Sequence, residues 1–328
     1  MSRIITFSQA IREAMVEEMR RNPDVFLMGE DVGLFGGVFG VSAGMFDEFG
    51  PERVRDTPIS ETAIVGAGLG AALMGMRPIV EIMFADFVTV AMDQVVNQVA
   101  KARYMSGGKA DAPLTIRLAN GAPGAAASQH SQSPEAWFMN IPGLKIAIPA
   151  TPRDAKGLLK TAIRGVDPVL FFEHKGLYNT LGEVPDEDYA IPFGQATYHC
   201  HGSAATVIAL GGVLPTVMNA AAHLADAGIE IEVVDPRTLV PLDIETLVQS
   251  VKKTHRAVIV HEAHRRGGPG AEIAALLAEQ ALPYLDAPIL RVATANVPIP
   301  YNPDLEHAIL PDANDVISAV TNLISYRL

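Results

Sequence analysis

The chain has 328 residues, enough for two domains at about 150 residues each. Apolar residues make up 49% and charged residues 19%, which excludes disorder or low complexity as the main state. Asp plus Glu is 37 against 25 Lys plus Arg, a formal charge of −12 that leaves no broad footprint for a phosphate backbone. The single cysteine, Cys200, excludes an intramolecular disulfide or a multi-thiolate zinc site. No charged-then-apolar block follows Met1, and the longest apolar stretch, 63–76, carries four glycines and is too short for a bilayer. A cytoplasmic protein is the expectation.

In chain order, residues 8–21 form an amphipathic helix pattern that ends before Pro23. Short runs of Val, Ile and Leu follow at 25–28, 79–84, 114–118, 145–148 and 169–173. They recur at 206–210, 229–234, 257–261 and 289–293. Continuous apolar runs suit strands buried on both faces of a parallel sheet. Thr151 is placed to cap a helix with Pro152 at its first position, running to Arg164 before Gly165. A second helix runs over 214–227 with Gly228 as a left-handed stop. Alternation of strand and helix predicts an α/β fold. The proline- and acid-rich break that begins at Gly182 predicts a domain over 1–185, a linker at 186–195 and a smaller α/β domain over 196–328.

Three short motifs lack the context their chemistry needs. Gly40-Val41-Ser42-Ala43-Gly44 matches a hydrolase nucleophile elbow, but no strand run precedes it, so a glycine-rich surface loop is expected. Gly66-Ala67-Gly68-Leu69-Gly70 resembles a dinucleotide turn, yet the residues before it contain Pro58 and no apolar run. A helix from about Ser60 is the better reading, with Gly66 and Gly70 one turn apart so that another helix can come close, as at an interface. His261 and His264 are three apart rather than four and follow a strand, so they are expected at its end, facing solvent or a partner. The loop 267–270 then opens a helix.

Other polar residues stand where strands meet helices. Glu61 opens a Gly/Ala-rich helix and is the last acid before Glu81. Asp86 and Phe87 follow the run 79–84, and His130 lies in Gln129-His130-Ser131-Gln132 between two runs. Ligands of open α/β sheets bind at strand carboxyl ends. Singly, each has a plain alternative: a first-turn helix acid, a core ring, a loop histidine.

Taken together, the stretches 56–61 (Asp-Thr-Pro-Ile-Ser-Glu), 82–94, 104–108, 129–132, 141–145, 154–158 and 234–241 are those of a known family. From Thr6 nearly to its end the chain resembles the beta chain of the thiamine-diphosphate-dependent 2-oxo acid dehydrogenases. These are the decarboxylating first components of the pyruvate, branched-chain and acetoin complexes. The resemblance implies a pyrimidine-binding parallel-sheet domain followed by a transketolase C-terminal-like α/β domain. It implies that Glu61 bonds the cofactor's N1′, that Phe87 stacks on the pyrimidine, that Ile59 lies beside it and that His130 is an active-site histidine. It also implies a potassium site at Leu114, Ala162, Ile163, Gly165 and Asp167, with glycine and aspartate departing from the pattern at the last two.

The Gly-Asp-Gly and paired asparagines with which the family holds magnesium and diphosphate are absent here. An alpha chain supplying them, in an α2β2 heterotetramer, is therefore implied, as is a lipoyl-bearing acyltransferase core. The implied reaction is oxidative decarboxylation of pyruvate or a branched-chain 2-oxo acid with acyl transfer to lipoamide. Acetoin cleavage is the alternative, and a non-catalytic scaffold subunit is the third. The strips 171–175 and 183–185 lean towards the pyruvate or acetoin members.

Overall fold

The computed structural model describes residues 2–122 and 124–327. The chain divides into two compact units, Met1–Asn120 with Trp137–Phe193, and Gly121–Ala136 with Gly194–Leu328. The segment 121–136 thus groups with the second unit although 120 residues precede it in the first.

In the first unit six parallel strands stand in the order Lys145–Ala147, Val169–His174, Thr115–Asn120, Arg77–Ile82, Val25–Gly29 and Val54–Asp56. The central ones are buried along nearly their whole length, which is why they read as mainly apolar runs, interrupted by Glu81, Arg117 and Glu173. Helix Phe7–Arg21 starts in a capping box in which Thr6 accepts from the Gln9 amide and Gln9 accepts from the Thr6 amide. Helix Pro152–Arg164 starts as predicted, with the Thr151 hydroxyl accepting the Asp154 amide at 3.1 Å. Phe7, Ile11 and Met15 of one helix and Leu158, Leu159 and Ile163 of the other share a core with Val25, Leu27, Ile79 and Phe171. Full burial of such a side chain contributes about 1.5–3 kcal/mol.

The same two helices bury charge. The Lys156 ammonium lies 3.1 Å from Glu13 and 2.7 Å from Glu17, and Lys160 pairs with Glu17 and Asp188. Asp188 belongs to the stretch expected as linker, and that stretch is pinned rather than loose. Ile191 donates its amide to the Gly157 carbonyl, and a Cβ at Gly157 would lie 2.6 Å from the Ile191 side chain. Just before it, Leu181–Pro185 pairs antiparallel with Ser2–Thr6.

The helix expected near Ser60 runs Glu61–Leu73. Its close approach to the sheet is at Gly68, while Gly66 lies against Gln94, whose side chain a Cβ would meet at 3.3 Å. A Cβ at Gly68 would meet Val80 at 2.8 Å and Leu114 at 3.0 Å, while one at Gly70 would meet nothing. The helix therefore lies on the sheet through the glycine that faces inward.

The second unit carries a five-stranded sheet in the order Leu290–Thr294, Ala257–His264, Thr206–Ala209, Glu232–Asp235 and Thr197–Cys200, antiparallel only at the last pairing. Helix Leu214–Asp226 ends as expected, with Gly228 at φ +77. Among the described residues no helix is long and apolar enough to cross a membrane.

Candidate active site

The six parallel strands of the first unit run the same way, so their carboxyl ends share one edge. Three of these ends deliver polar or aromatic groups: Glu30 after Val25–Gly29, Glu61 after Val54–Asp56, and Phe87 after Arg77–Ile82. Hydrogen bonds lock the edge. The Thr57 amide donates to the Gly29 carbonyl at 2.9 Å, and the Asp56 carboxylate accepts the Gly33 amide at 2.6 Å. The Thr62 hydroxyl donates to the Val90 carbonyl at 2.7 Å, joining the first turn of helix Glu61–Leu73 to the turn that carries Phe87.

Glu61 is 7% exposed and sits in the first helical turn, where a carboxylate is favoured by the helix dipole. No side chain among the described residues bonds to its carboxyl. Phe87 is half-buried in the 3₁₀ turn Ala85–Thr89, edge-on to Phe84 with ring centroids 5.9 Å apart. Asp86 beside it is buried, and Ile59 is 83% exposed, a large apolar side chain left on the surface two residues before Glu61.

Glu30 was not singled out from the sequence, although an acid directly after a fully buried strand was a usable signal. Its carboxyl titrates above the usual range, first through burial and then through the charges of Glu61, Asp31 and Glu81. Behind this edge lies a buried ion cluster. Arg117 forks Glu173 through Nε and Nη2 at 2.7 and 2.8 Å, its Nη1 pairs with Glu81, and the Tyr178 hydroxyl donates to Glu173 at 3.0 Å. Burial pushes the Glu81 carboxyl up, with Arg117 opposing. Alternation within strands otherwise reading as core was the only sequence hint of this cluster.

His130 is placed in the second unit, on the segment 121–136. Its amide donates to the Ala127 carbonyl at 3.3 Å, and the Gly121 amide donates to the Gln132 carbonyl at 3.0 Å. The backbone between is unusual, with Ala125 at φ +51 and Ala127 at φ +63.

The glycine-rich stretch is a loop that exposes Leu34, Phe35 and Gly40, and within it Ser42 is fully buried with its hydroxyl donating to the Val32 carbonyl at 2.8 Å, so it is no nucleophile. One expectation needs correction. His261 does not face solvent or a partner, because it is fully buried with Gly268 and Gly270 against its ring. His264 alone reaches outward, bonded to the Ala295 carbonyl.

The positions implied for potassium do not fit a further cation. The Ile163 and Gly165 carbonyls converge on Nη1 of Arg77 at 2.9 and 2.7 Å, and the Leu114 carbonyl accepts the Val169 amide. Ala162 accepts the Gly165 amide, and the Asp167 carboxylate pairs with Lys145 and Arg103. A guanidinium already supplies the positive charge where these last-turn carbonyls meet.

Residues 3–180 match the transketolase pyrimidine-binding domain, and residues 194–316 match the transketolase C-terminal domain. The chain is 46% identical to the acetoin:2,6-dichlorophenolindophenol oxidoreductase subunit beta of Bacillus subtilis, covering 99% of this chain and 98% of that one. It is 47% identical to the pyruvate dehydrogenase E1 component subunit beta of Rhizobium meliloti, over 96% of this chain and 69% of the relative. It is 45% identical to the 2-oxoisovalerate dehydrogenase subunit beta of Bacillus subtilis, over 98% and 99%. Among solved structures it superposes with TM-score 0.81 and 25% identity on a split-gene transketolase in an inactive β4 tetramer, over 98% of each chain. With two transketolase-type domains end to end and such relatives along its whole length, the chain belongs to the thiamine-dependent 2-oxo acid dehydrogenase family, among its beta subunits.

Proposed function

We propose that this chain is the cofactor-activating half of a 2-oxo acid dehydrogenase. It decarboxylates pyruvate or a branched-chain 2-oxo acid and passes the acyl group to lipoamide, in the cytoplasm and only with an alpha chain. The observation that carries the reading is Glu61, a buried carboxyl with no bonded partner among the described residues, at a strand-end edge beside a half-buried ring. Such a pairing suits a flat heteroaromatic ring bearing a nitrogen, as in the aminopyrimidine of thiamine diphosphate. Phe87 offers its face for stacking, and Ile59 adds apolar cover.

When bound, thiamine diphosphate supplies the reactive carbon and the electron sink that decarboxylation requires. Glu61 would hold the ring nitrogen N1′ through a shared proton, the contact by which a carboxyl can tune the basicity of the bound aminopyrimidine. Glu30 lies within electrostatic reach of Glu61, and burial followed by the charge of Glu61 raises its own carboxyl above the usual range. His130 serves the substrate side, by proton transfer or by stabilising charge. The alpha chain contributes the magnesium and diphosphate site, completing an α2β2 assembly that docks on the acyltransferase core. Arg77 fills the place of the implied potassium ion.

Acetoin cleavage is a second reading, favoured by the end-to-end match to the Bacillus subtilis acetoin oxidoreductase subunit. The test is turnover of the assembled alpha and beta chains with magnesium and thiamine diphosphate, an artificial electron acceptor reporting on pyruvate, 3-methyl-2-oxobutanoate and acetoin. The best substrate decides between the readings. Glu61→Gln is expected to lower kcat about 10²–10⁴-fold, the usual weight of proton transfer, while assembly and melting stay unchanged. Near-normal turnover would refute the role of Glu61.

A further inference from the structure

The segment that carries His130 has little of its own to hold it. Between Gly121 and His130 lie Gly121, Ala122, Gly124, Ala125, Ala126 and Ala127, which offer almost no apolar side-chain area. Two of its alanines adopt the left-handed region. A non-glycine residue stays there only where its surroundings over-determine it.

Those surroundings come from far along the chain, within the same unit. Asn302 caps helix Pro303–Ile309 by accepting the Asp304 and Leu305 amides, and this sets Glu306 in its first turn. Glu306 is 3% exposed, and its Oε2 accepts the Ala125 amide at 2.9 Å and the Gly124 amide at 3.3 Å. Its other oxygen has no bonded partner among the described residues. Consecutive amides turned to one side form a nest for an anion, and here the anion is a side chain. The relative direction of the two amides is set by the backbone of Gly124, at φ +148, a conformation open to glycine. Glu262 adds a second brace, its Oε1 accepting the Ala122 amide at 2.7 Å and the Ser133 hydroxyl at 3.3 Å. Ser128 donates to the Ile299 carbonyl at 2.7 Å. Together these contacts bracket His130 on both sides.

We propose that Glu306, assisted by Glu262, is a positioning residue for His130: its carboxylate seats the 121–136 segment so that the imidazole is presented in one orientation. The proposal rests on the reading of His130 as an active-site group. A carboxylate suits the task because a charged acceptor shared by two amides is stronger than a neutral one.

The experiment uses the assembled alpha–beta complex with magnesium and thiamine diphosphate. It compares wild type, Glu306→Ala, Glu306→Gln, His130→Ala and the double variant Glu306→Ala/His130→Ala. Steady-state kcat and KM are measured alongside hydrogen exchange of peptides covering 121–136. Glu306→Ala should lower kcat at least tenfold with KM within about twofold, and exchange should rise in 121–136 but not in the strands. Glu306→Gln keeps an acceptor oxygen and should recover most of that loss. The double variant should be no slower than His130→Ala, because a residue acting through another is not additive with it.

Losses that multiply in the double variant would overturn the proposal, as would normal kcat in Glu306→Ala while His130→Ala is slow. If Glu306→Ala does not assemble, Glu306→Gln decides. A loss of a few fold that vanishes in the His130→Ala background supports the proposal, and one that persists there overturns it. Unchanged turnover in His130→Ala would instead sink the reading of that histidine, and the proposal with it.

Discussion

Two buried cationic-type groups near strand carboxyl ends have been accommodated in opposite ways. Arg117, in the first unit, is 1% exposed and meets two carboxylates, one of them further held by Tyr178. His261, in the second unit, is fully buried, and no acid among the described residues pairs with it. Burial pulls its imidazole down to about 4, with Arg291 acting in the same direction and the Ala263 backbone opposing. A guanidinium cannot shed its proton near neutral pH, so its charge must be answered by partners. An imidazole can, so burial simply neutralises it. The same dryness therefore builds a network in one unit and an apolar packing block in the other, with Gly268 and Gly270 flush against the ring.

The contrast can be broken most severely at the network. Arg117→Met leaves Glu81 and Glu173 buried without their counter-charge, and removing one partner of such a pair costs about 3–5 kcal/mol. Chemical denaturation of the isolated beta chain should show a midpoint shifted by that amount. A shift under 1 kcal/mol would mean the cluster is solvated in solution.

His261 should behave oppositely, silent at neutral pH and costly in acid. The folded state prefers the neutral ring and the unfolded state titrates near 6.5, so its contribution is complete above that value. As pH falls from 6.5 to about 4, stability should decline by roughly 3 kcal/mol from this residue alone. His261→Val should flatten that part of the stability profile relative to wild type. An unchanged profile in the variant would show that the ring takes up its proton as readily in the folded chain as in the unfolded one. The smallest effect is expected for Tyr178→Phe, which removes one bond to Glu173 but leaves its Arg117 fork. A loss of about 1–2 kcal/mol in the same denaturation assay fits, and a loss as large as that of Arg117→Met would make the hydroxyl a full member of the network.

These particulars show how unevenly the molecule was legible. The strand runs at 79–84 and 169–173, the Thr151-Pro152 helix start and the Gly228 stop were readable because each is local chemistry: apolar continuity, a capping hydroxyl, a residue tolerant of positive φ. Glu61 was readable as a helix-start acid in an otherwise uncharged stretch, and the structure adds that it is buried and unbonded. The G-x-S-x-G string was set aside for want of a strand before it, and the structure adds that the Ser42 hydroxyl is already bonded to the Val32 carbonyl. The spacing of Gly66 and Gly70 could not say which face of the helix meets the sheet, and Gly68 does.

The sequence by itself determined the alternation of strand and helix, the acid at the head of helix Glu61–Leu73 and, through ordered resemblance, the family. Each depends on neighbours within a few residues or on whole-chain pattern. Only the tertiary structure decided that Glu30 lies in the electrostatic reach of Glu61, that Arg77 takes up the Ile163 and Gly165 carbonyls, and that the His130 segment is seated on Glu262 and Glu306. Those pairings span from about thirty to more than a hundred residues of chain. The free energy of a buried charge depends on what folding brings beside it, not on what precedes it in sequence.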